Sequence, residues 1–157
     1  MSATKAMSLD RFKVHSAHRQ SLITHTNGLG ILGAVLQAAA VHLALRAEGS
    51  IEVKNFINEL KEILRKVEGV ENGHKMSIDM EQFLRDLGND ISAHGAVPTA
   101  VYAFLKALQP LSEFKTSSGV VRTIFTAIRL GGDTDTISSM AASIAGKGFS
   151  CVYNVVV

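Results

Sequence analysis

The stretch Gly28-Leu29-Gly30-Ile31-Leu32-Gly33-Ala34-Val35-Leu36-Gln37-Ala38-Ala39-Ala40-Val41-His42-Leu43-Ala44-Leu45-Arg46-Ala47 decides the fold class. It holds no proline, does not alternate apolar with polar residues, and is apolar nearly all round. Alanine has the best helix propensity of any residue, so six alanines in twenty positions favour a helix. A helix apolar on every side belongs in the middle of a domain, with neighbours packed close to its small side chains. About 20 apolar residues also match a membrane span, but Gln37, His42 and Arg46 are costly in lipid. We therefore expect a buried helix over 28–47. The same stretch spells G-x-G-x-x-G at Gly28, Gly30 and Gly33. A dinucleotide site would need a strand before it and further strand–helix alternation after it, and neither is present. Close helix packing through glycine is the better expectation.

The neighbouring segments repeat the helical period. Ser50 is placed to cap a helix whose stripe is Val53, Phe56, Ile57, Leu60, Ile63, Leu64 and Val67, with Glu62 and Lys66 spaced to pair. Gly69 to Gly73 stops it. Ser77 to Leu87 reads as a shorter amphipathic helix. Pro98 suits the first turn of a helix reaching about Leu108, because that turn leaves its N–H groups unused. Gly119 to Leu130 carries Val121, Ile124, Phe125, Ile128 and Leu130, and a last helix runs from about Asp135 to Ala145. Residues 1–20 are polar, basic and without period, so they are expected to form a loose tail ahead of a single domain over 21–157. Only Cys151 to Val157 alternates weakly. The expected class is all-α.

Composition narrows the function classes. The 157 residues are 46% hydrophobic and 19% charged, enough apolar material for one domain with a real core. A net charge of +2 argues for neither nucleic acid nor membrane as a partner. The single cysteine, Cys151, excludes an intramolecular disulfide and a cysteine-rich zinc site, which favours an intracellular, reducing setting. Lys5, Arg11, Lys13 and Arg19 give the start a basic cast, interrupted by Asp10. The expected location is cytoplasm and nucleus, with the mitochondrial matrix as the alternative.

Chemistry concentrates in Gly131-Gly132-Asp133-Thr134-Asp135-Thr136, between two helices. Carboxylates two residues apart repel each other unless a cation neutralises them. With Thr136 they offer three hard oxygens, a set suited to Mg²⁺ or Ca²⁺. Aspartate and threonine are also preferred helix caps, and acids are favoured at helix starts. Spacing alone leaves both readings open. His25, in Thr24-His25-Thr26-Asn27, carries no motif by itself, and the chain has no H-E-x-x-H and no G-x-S-x-G.

Three ordered segments resemble one family. Leu130 to Ile137 with Met140 to Gly146 is similar to the C-terminal signature of the ADP-ribosylglycohydrolases. Thr24-His25, Leu29-Gly30 and Gly33 to Ala38 resemble their T-H-x-x-x-L-G-x-x-G-A helix. Leu87 to Ala93, followed by Val97-Pro98-Thr99-Ala100, resembles the L-G-N-G-I-x-A-x-x-S-V-P-T-A segment of the branch acting on ADP-ribosylserine, O-acetyl-ADP-ribose and ADP-ribose chains.

The resemblance implies a truncated orthogonal helical bundle and an Mg²⁺-dependent hydrolase releasing ADP-ribose from O-linked, serine-modified proteins. It implies two metal ions, Mg²⁺ or Mn²⁺, with Asp133, Asp135 and Thr136 among the ligands. It also implies that His25 contacts ADP-ribose and that Ile91 packs on its adenine side. The family's Thr-Asp-Asp, catalytic glutamate and glycine-rich phosphate loop have no counterpart in this sequence, so no catalytic residue is assigned. Asp90 stands where that branch has glycine, and His94-Gly95 replaces acidic or serine residues. The chain looks like the C-terminal half of such an enzyme. The alternative is a non-catalytic form that binds ADP-ribose weakly or associates with a partner chain.

Overall fold

The alanine-rich stretch forms the central helix of an all-α bundle. The computed structural model of the chain describes residues 15–68 and 87–148, and the side chains of 66–68 and 147–148 lie outside that description. Helix α1 covers residues 15–21 and α2 Gly28–Arg46. They are followed by α3 (Val53–Glu68), α4 (Ala93–Lys106), α5 (Gly119–Arg129) and α6 (Thr134–Gly148). The described residues contain no strand, only one isolated antiparallel bridge between Leu111 and Phe114.

Helix α2 starts at Asn27, whose side-chain oxygen accepts from the Leu29 N–H at 2.8 Å. This supplies one of the donors that a helix start leaves without a partner. By length and composition α2 would cross a membrane, yet it packs on α3, α4 and α6. Its Leu32, Val35, Leu36, Ala39, Ala40 and Leu43 meet Phe56, Leu60 and Leu64 of α3 and Val97, Val101 and Phe104 of α4. The Phe56 and Phe104 rings tilt against each other with centroids 5.7 Å apart. A second cluster of Ala96, Ala100, Ala103, Ala127, Ile137 and Ala141 lets α4, α5 and α6 approach closely. The expectation of small-residue packing holds.

Three details differ from the sequence reading. Of the tail expected over 1–20, residues 15–20 are helical, and His18 and Ser21 of α1 are buried. The Ser21 hydroxyl donates to the His18 carbonyl at 2.7 Å, so this polar turn partly satisfies itself where an apolar stripe was sought. Helix α3 begins later than a Ser50 cap implies, with the Glu52 carbonyl accepting the Phe56 N–H at 3.0 Å. Glu62 pairs with Arg65 at 2.8 Å, while the Lys66 side chain lies outside the described residues. Pro98 sits inside α4 rather than in its first turn, since the helix starts at Ala93. The helix expected over Ser77 to Leu87 lies outside the described residues except for Leu87, which is not helical, and Cys151 to Val157 lies wholly outside them.

Helix α5 turns the usual arrangement over. Its buried positions are Gly119, Arg122, Thr123, Thr126 and Ala127, while Val121 and Ile128 are exposed. The buried threonines donate to the carbonyls four residues back, Thr123 to Gly119 at 2.9 Å and Thr126 to Arg122 at 2.8 Å. Hydroxyls satisfied within the helix can be buried at little cost. Arg122, 6% exposed, donates from Nε to the Ala107 carbonyl at 3.0 Å. Its Nη1 donates to the carbonyls of Thr116 and Ser117 at 3.1 and 3.2 Å. Ala107 caps the C-terminus of α4, where carbonyls lack helical partners and the dipole favours a cation. On the outer side, the Phe114 and Phe125 rings stack 4.1 Å apart, with Arg129 over Phe125 and paired with Glu113 at 2.9 Å.

Candidate metal centre at one end of the bundle

Three contacts show that α2, α4 and α6 begin at the same end. Gly33 of α2 packs on Ala93 at the start of α4. Gln37 of α2 donates to the Met140 carbonyl and Ser143 hydroxyl of α6, at 3.0 and 2.9 Å. The N–H of Asp133, just before α6, donates to the Asn89 carbonyl, four residues ahead of α4, at 2.7 Å. The loops carrying His25, Ile91 and Asp133 therefore gather on one face of the molecule.

The turn into α6 is made by two glycines. Gly131 and Gly132 have φ values of 75° and 70°, the left-handed region that side chains disfavour. At Gly132 space is also lacking, because a Cβ would lie 1.7 Å from the Asn89 carbonyl oxygen. The chain then enters the helix at Asp133, whose carbonyl accepts the Ile137 N–H at 3.0 Å. Asp133 is half-buried, and Asp135 and Thr136 are exposed on the first turn.

Asp133 and Asp135 stand two residues apart at the start of α6, and ionised carboxylates so placed repel unless a proton or a cation lies between them. The Asp133 side chain, and then the N–H groups of Thr136 and Asp135 itself, hold Asp135 below its usual carboxylate range. A depressed folded value means that this ionisation stabilises the protein above the unfolded pKa, and that the contribution is lost as pH falls through the folded one. Carbon-detected NMR titration of the metal-free chain should place the Asp135 midpoint below 3.8. A midpoint above that value would show that repulsion between the two carboxylates dominates.

The donor set was tested against a hard divalent cation. Asp133, Asp135 and Thr136 supply oxygen only, the chemistry that Mg²⁺, Mn²⁺ and Ca²⁺ prefer. Among the described residues no group of three or more His, Cys, Asp or Glu is placed to hold an ion. The three residues thus fit one side of a coordination shell, whose other positions need water or further ligands. Asp133 also stands at the helix start, where its carbonyl accepts the first helical bond from Ile137.

His25 and Ile91 stand on separate loops. The His25 ring lies over Gly30, where a Cβ would come within 2.7 Å of Cδ2. Its Nδ1 is 2.8 Å from the Thr24 hydroxyl. At Gly33 a Cβ would fall 2.9 Å from that of Ala93. Two of the three glycines of G-x-G-x-x-G thus serve close packing. Ile91 is 88% exposed, a large apolar side chain presented to solvent two residues after Asn89. Next to it, Asp90 accepts the Ser92 N–H at 2.9 Å and the Ser92 hydroxyl, contacts that hold its carboxyl below the usual range. The residue that sequence reading did not single out is Asn89, whose side chain donates to the Leu130 carbonyl at 2.9 Å.

The all-α fold agrees with the comparisons. A family model for ADP-ribosylglycohydrolase matches residues 4–149, and the chain belongs to that family. It is 35% identical to ADP-ribosylhydrolase ARH3 of Xenopus tropicalis over 159 residues, covering 85% of this chain and 45% of that protein. The corresponding proteins of Bos taurus and Homo sapiens are 35% and 34% identical, each over 83% of this chain and 42% of their own length. The chain spans less than half the length of these curated relatives.

Proposed function

We propose that the chain supplies the metal-binding and ribose-facing part of an Mg²⁺-dependent hydrolase that releases ADP-ribose from serine-modified proteins and related esters or polymers. The observation that carries this is the glycine turn that sets Asp133 and Asp135 at the start of α6, with Gly131 and Gly132 left-handed and the Asp133 N–H bonded to the Asn89 carbonyl. Asp133, Asp135 and Thr136 would hold Mg²⁺ or Mn²⁺, which when bound would orient and polarise ribose oxygens. His25, with Nδ1 engaged by Thr24, offers its other ring nitrogen to a sugar or phosphate oxygen. Ile91 offers an apolar surface to the flat face of adenine. The relatives named for ADP-ribosyl hydrolysis support this substrate class.

The general acid or base has no counterpart here, and such a group contributes about 10²- to 10⁴-fold in rate. We therefore expect the isolated chain to release ADP-ribose from an ADP-ribosylserine peptide with Mg²⁺ at least about 100-fold more slowly than a complete relative. Mixing it with the N-terminal half of a relative should recover activity. Full-rate turnover by the isolated chain would show that the acid lies within these 157 residues.

A second reading, a chain that binds ADP-ribose weakly or acts in association with a partner chain, is favoured by α5. Its exposed Val121 and Ile128 form an apolar face opposite the buried one. In the same mixing assay that reading predicts association without turnover.

A further inference from the structure

We propose that Asn89 is the positioning residue of the metal loop, holding Asp133 and Asp135 in register through the loop backbone rather than as a ligand. This rests on the metal reading above. Asn89 lies more than 40 residues from the loop in sequence, yet it grips both ends of the glycine turn. Its side-chain Nδ2 donates to the Leu130 carbonyl at 2.9 Å, where α5 ends. Its own carbonyl accepts the Asp133 N–H at 2.7 Å, where α6 begins. Between these bonds the Gly132 backbone lies so close that a Cβ would meet the Asn89 carbonyl oxygen, carbonyl carbon and Cγ at 1.7, 2.6 and 2.8 Å.

The chemistry selects asparagine at this place. Reaching the Leu130 carbonyl needs a donor on a short side chain, and aspartate, its isostere, carries only acceptors when ionised. Serine is shorter by one heavy atom, and glutamine would push its amide into the space that Gly132 leaves free. The segment carrying Asn89 is anchored in turn, since buried Thr99 donates to the Gly88 carbonyl at 2.7 Å. That bond ends at Gly88 and reaches neither Leu130 nor Asp133, so it secures the segment without contacting the loop. Groups that orient metal ligands typically change metal affinity by about 10- to 100-fold when removed.

The test compares the parent with Asn89→Asp, Asn89→Ala, Thr99→Val and Asp135→Ala, using Mn²⁺ titration by electron paramagnetic resonance, thermal melting and amide hydrogen exchange. Asn89→Asp and Asn89→Ala should weaken Mn²⁺ binding by about 10- to 100-fold. In the metal-free chain they should speed exchange of the Asp133 amide at least about tenfold, the order expected when a loop loses its tether. Thr99→Val removes one bond from the same segment and should lower the melting temperature by about 2–4 °C. It should leave Mn²⁺ affinity within about threefold, because its bond does not touch the metal loop. Parent-like Mn²⁺ affinity and Asp133 exchange in Asn89→Asp would overturn the proposal, as would equal losses of affinity in Thr99→Val. Failure of the metal reading looks different: Asp135→Ala would then bind Mn²⁺ as the parent does, or neither would bind.

Discussion

Arg122→Ala is expected to destabilise the chain by about 3–5 kcal/mol, lowering its melting temperature by roughly 10 °C. The guanidinium is buried and donates to three carbonyls, those of Ala107, Thr116 and Ser117. Truncation leaves these acceptors without the donor, and each buried polar group so stranded costs about 1–3 kcal/mol. It also opens a void between α5 and the segment joining it to α4. A loss of that size is a large fraction of the 5–15 kcal/mol typical of a domain. Arg122→Lys should recover only part of it, because an ammonium cannot donate in a fixed fork to carbonyls at three places. Denaturant unfolding of the three proteins measures this directly. A change below about 1 kcal/mol for Arg122→Ala would place the stability of α5 in its outer face, where Phe114 and Phe125 stack.

That arginine marks the limit of what the sequence discloses. Helix α2 was legible because alanine and leucine crowd a stretch without breakers, and such a stretch has one economical place in a small domain. The α3 stripe was legible because Phe56, Leu60 and Leu64 recur at helical spacing and all three are buried. In α5 the same logic meets a helix whose apolar residues at 121 and 128 are exposed, while Arg122, Thr123 and Thr126 face inward. Periodicity reports that a helix has two faces, and packing decides which is covered. Pro98 was drawn to a helix start by its missing donor, yet α4 extends ahead of it from Ala93. Local propensity is a weak guide to a helix start, and here the first turn of α4 packs closely on Gly33 of α2.

The site divides in the same way. The proposed ligand loop is local, two glycines and two aspartates in five residues, and its turn into a helix was legible as such. Its support is not local. Asn89 meets Leu130 and Asp133 across more than 40 residues, and no spacing rule relates them. The one hint was Gly132, since a glycine that must remain glycine implies a neighbour in the space where a Cβ would stand.

The proposed divalent-cation site at Asp133, Asp135 and Thr136 can be told from a plain helix cap by substitution. Asp135 makes the sharper test, because the backbone start of α6 is carried by Asp133, whose carbonyl accepts the Ile137 N–H. Removing the Asp135 carboxylate takes away one of two charges while leaving that start in place. Binding of Mn²⁺ by parent and Asp135→Ala, followed by electron paramagnetic resonance beside far-ultraviolet circular dichroism, is the most direct measurement. The account predicts that the parent binds, that Asp135→Ala binds at least about 100-fold more weakly, and that helix content is nearly unchanged. Equal binding by the two proteins would contradict it and leave the aspartates as a cap.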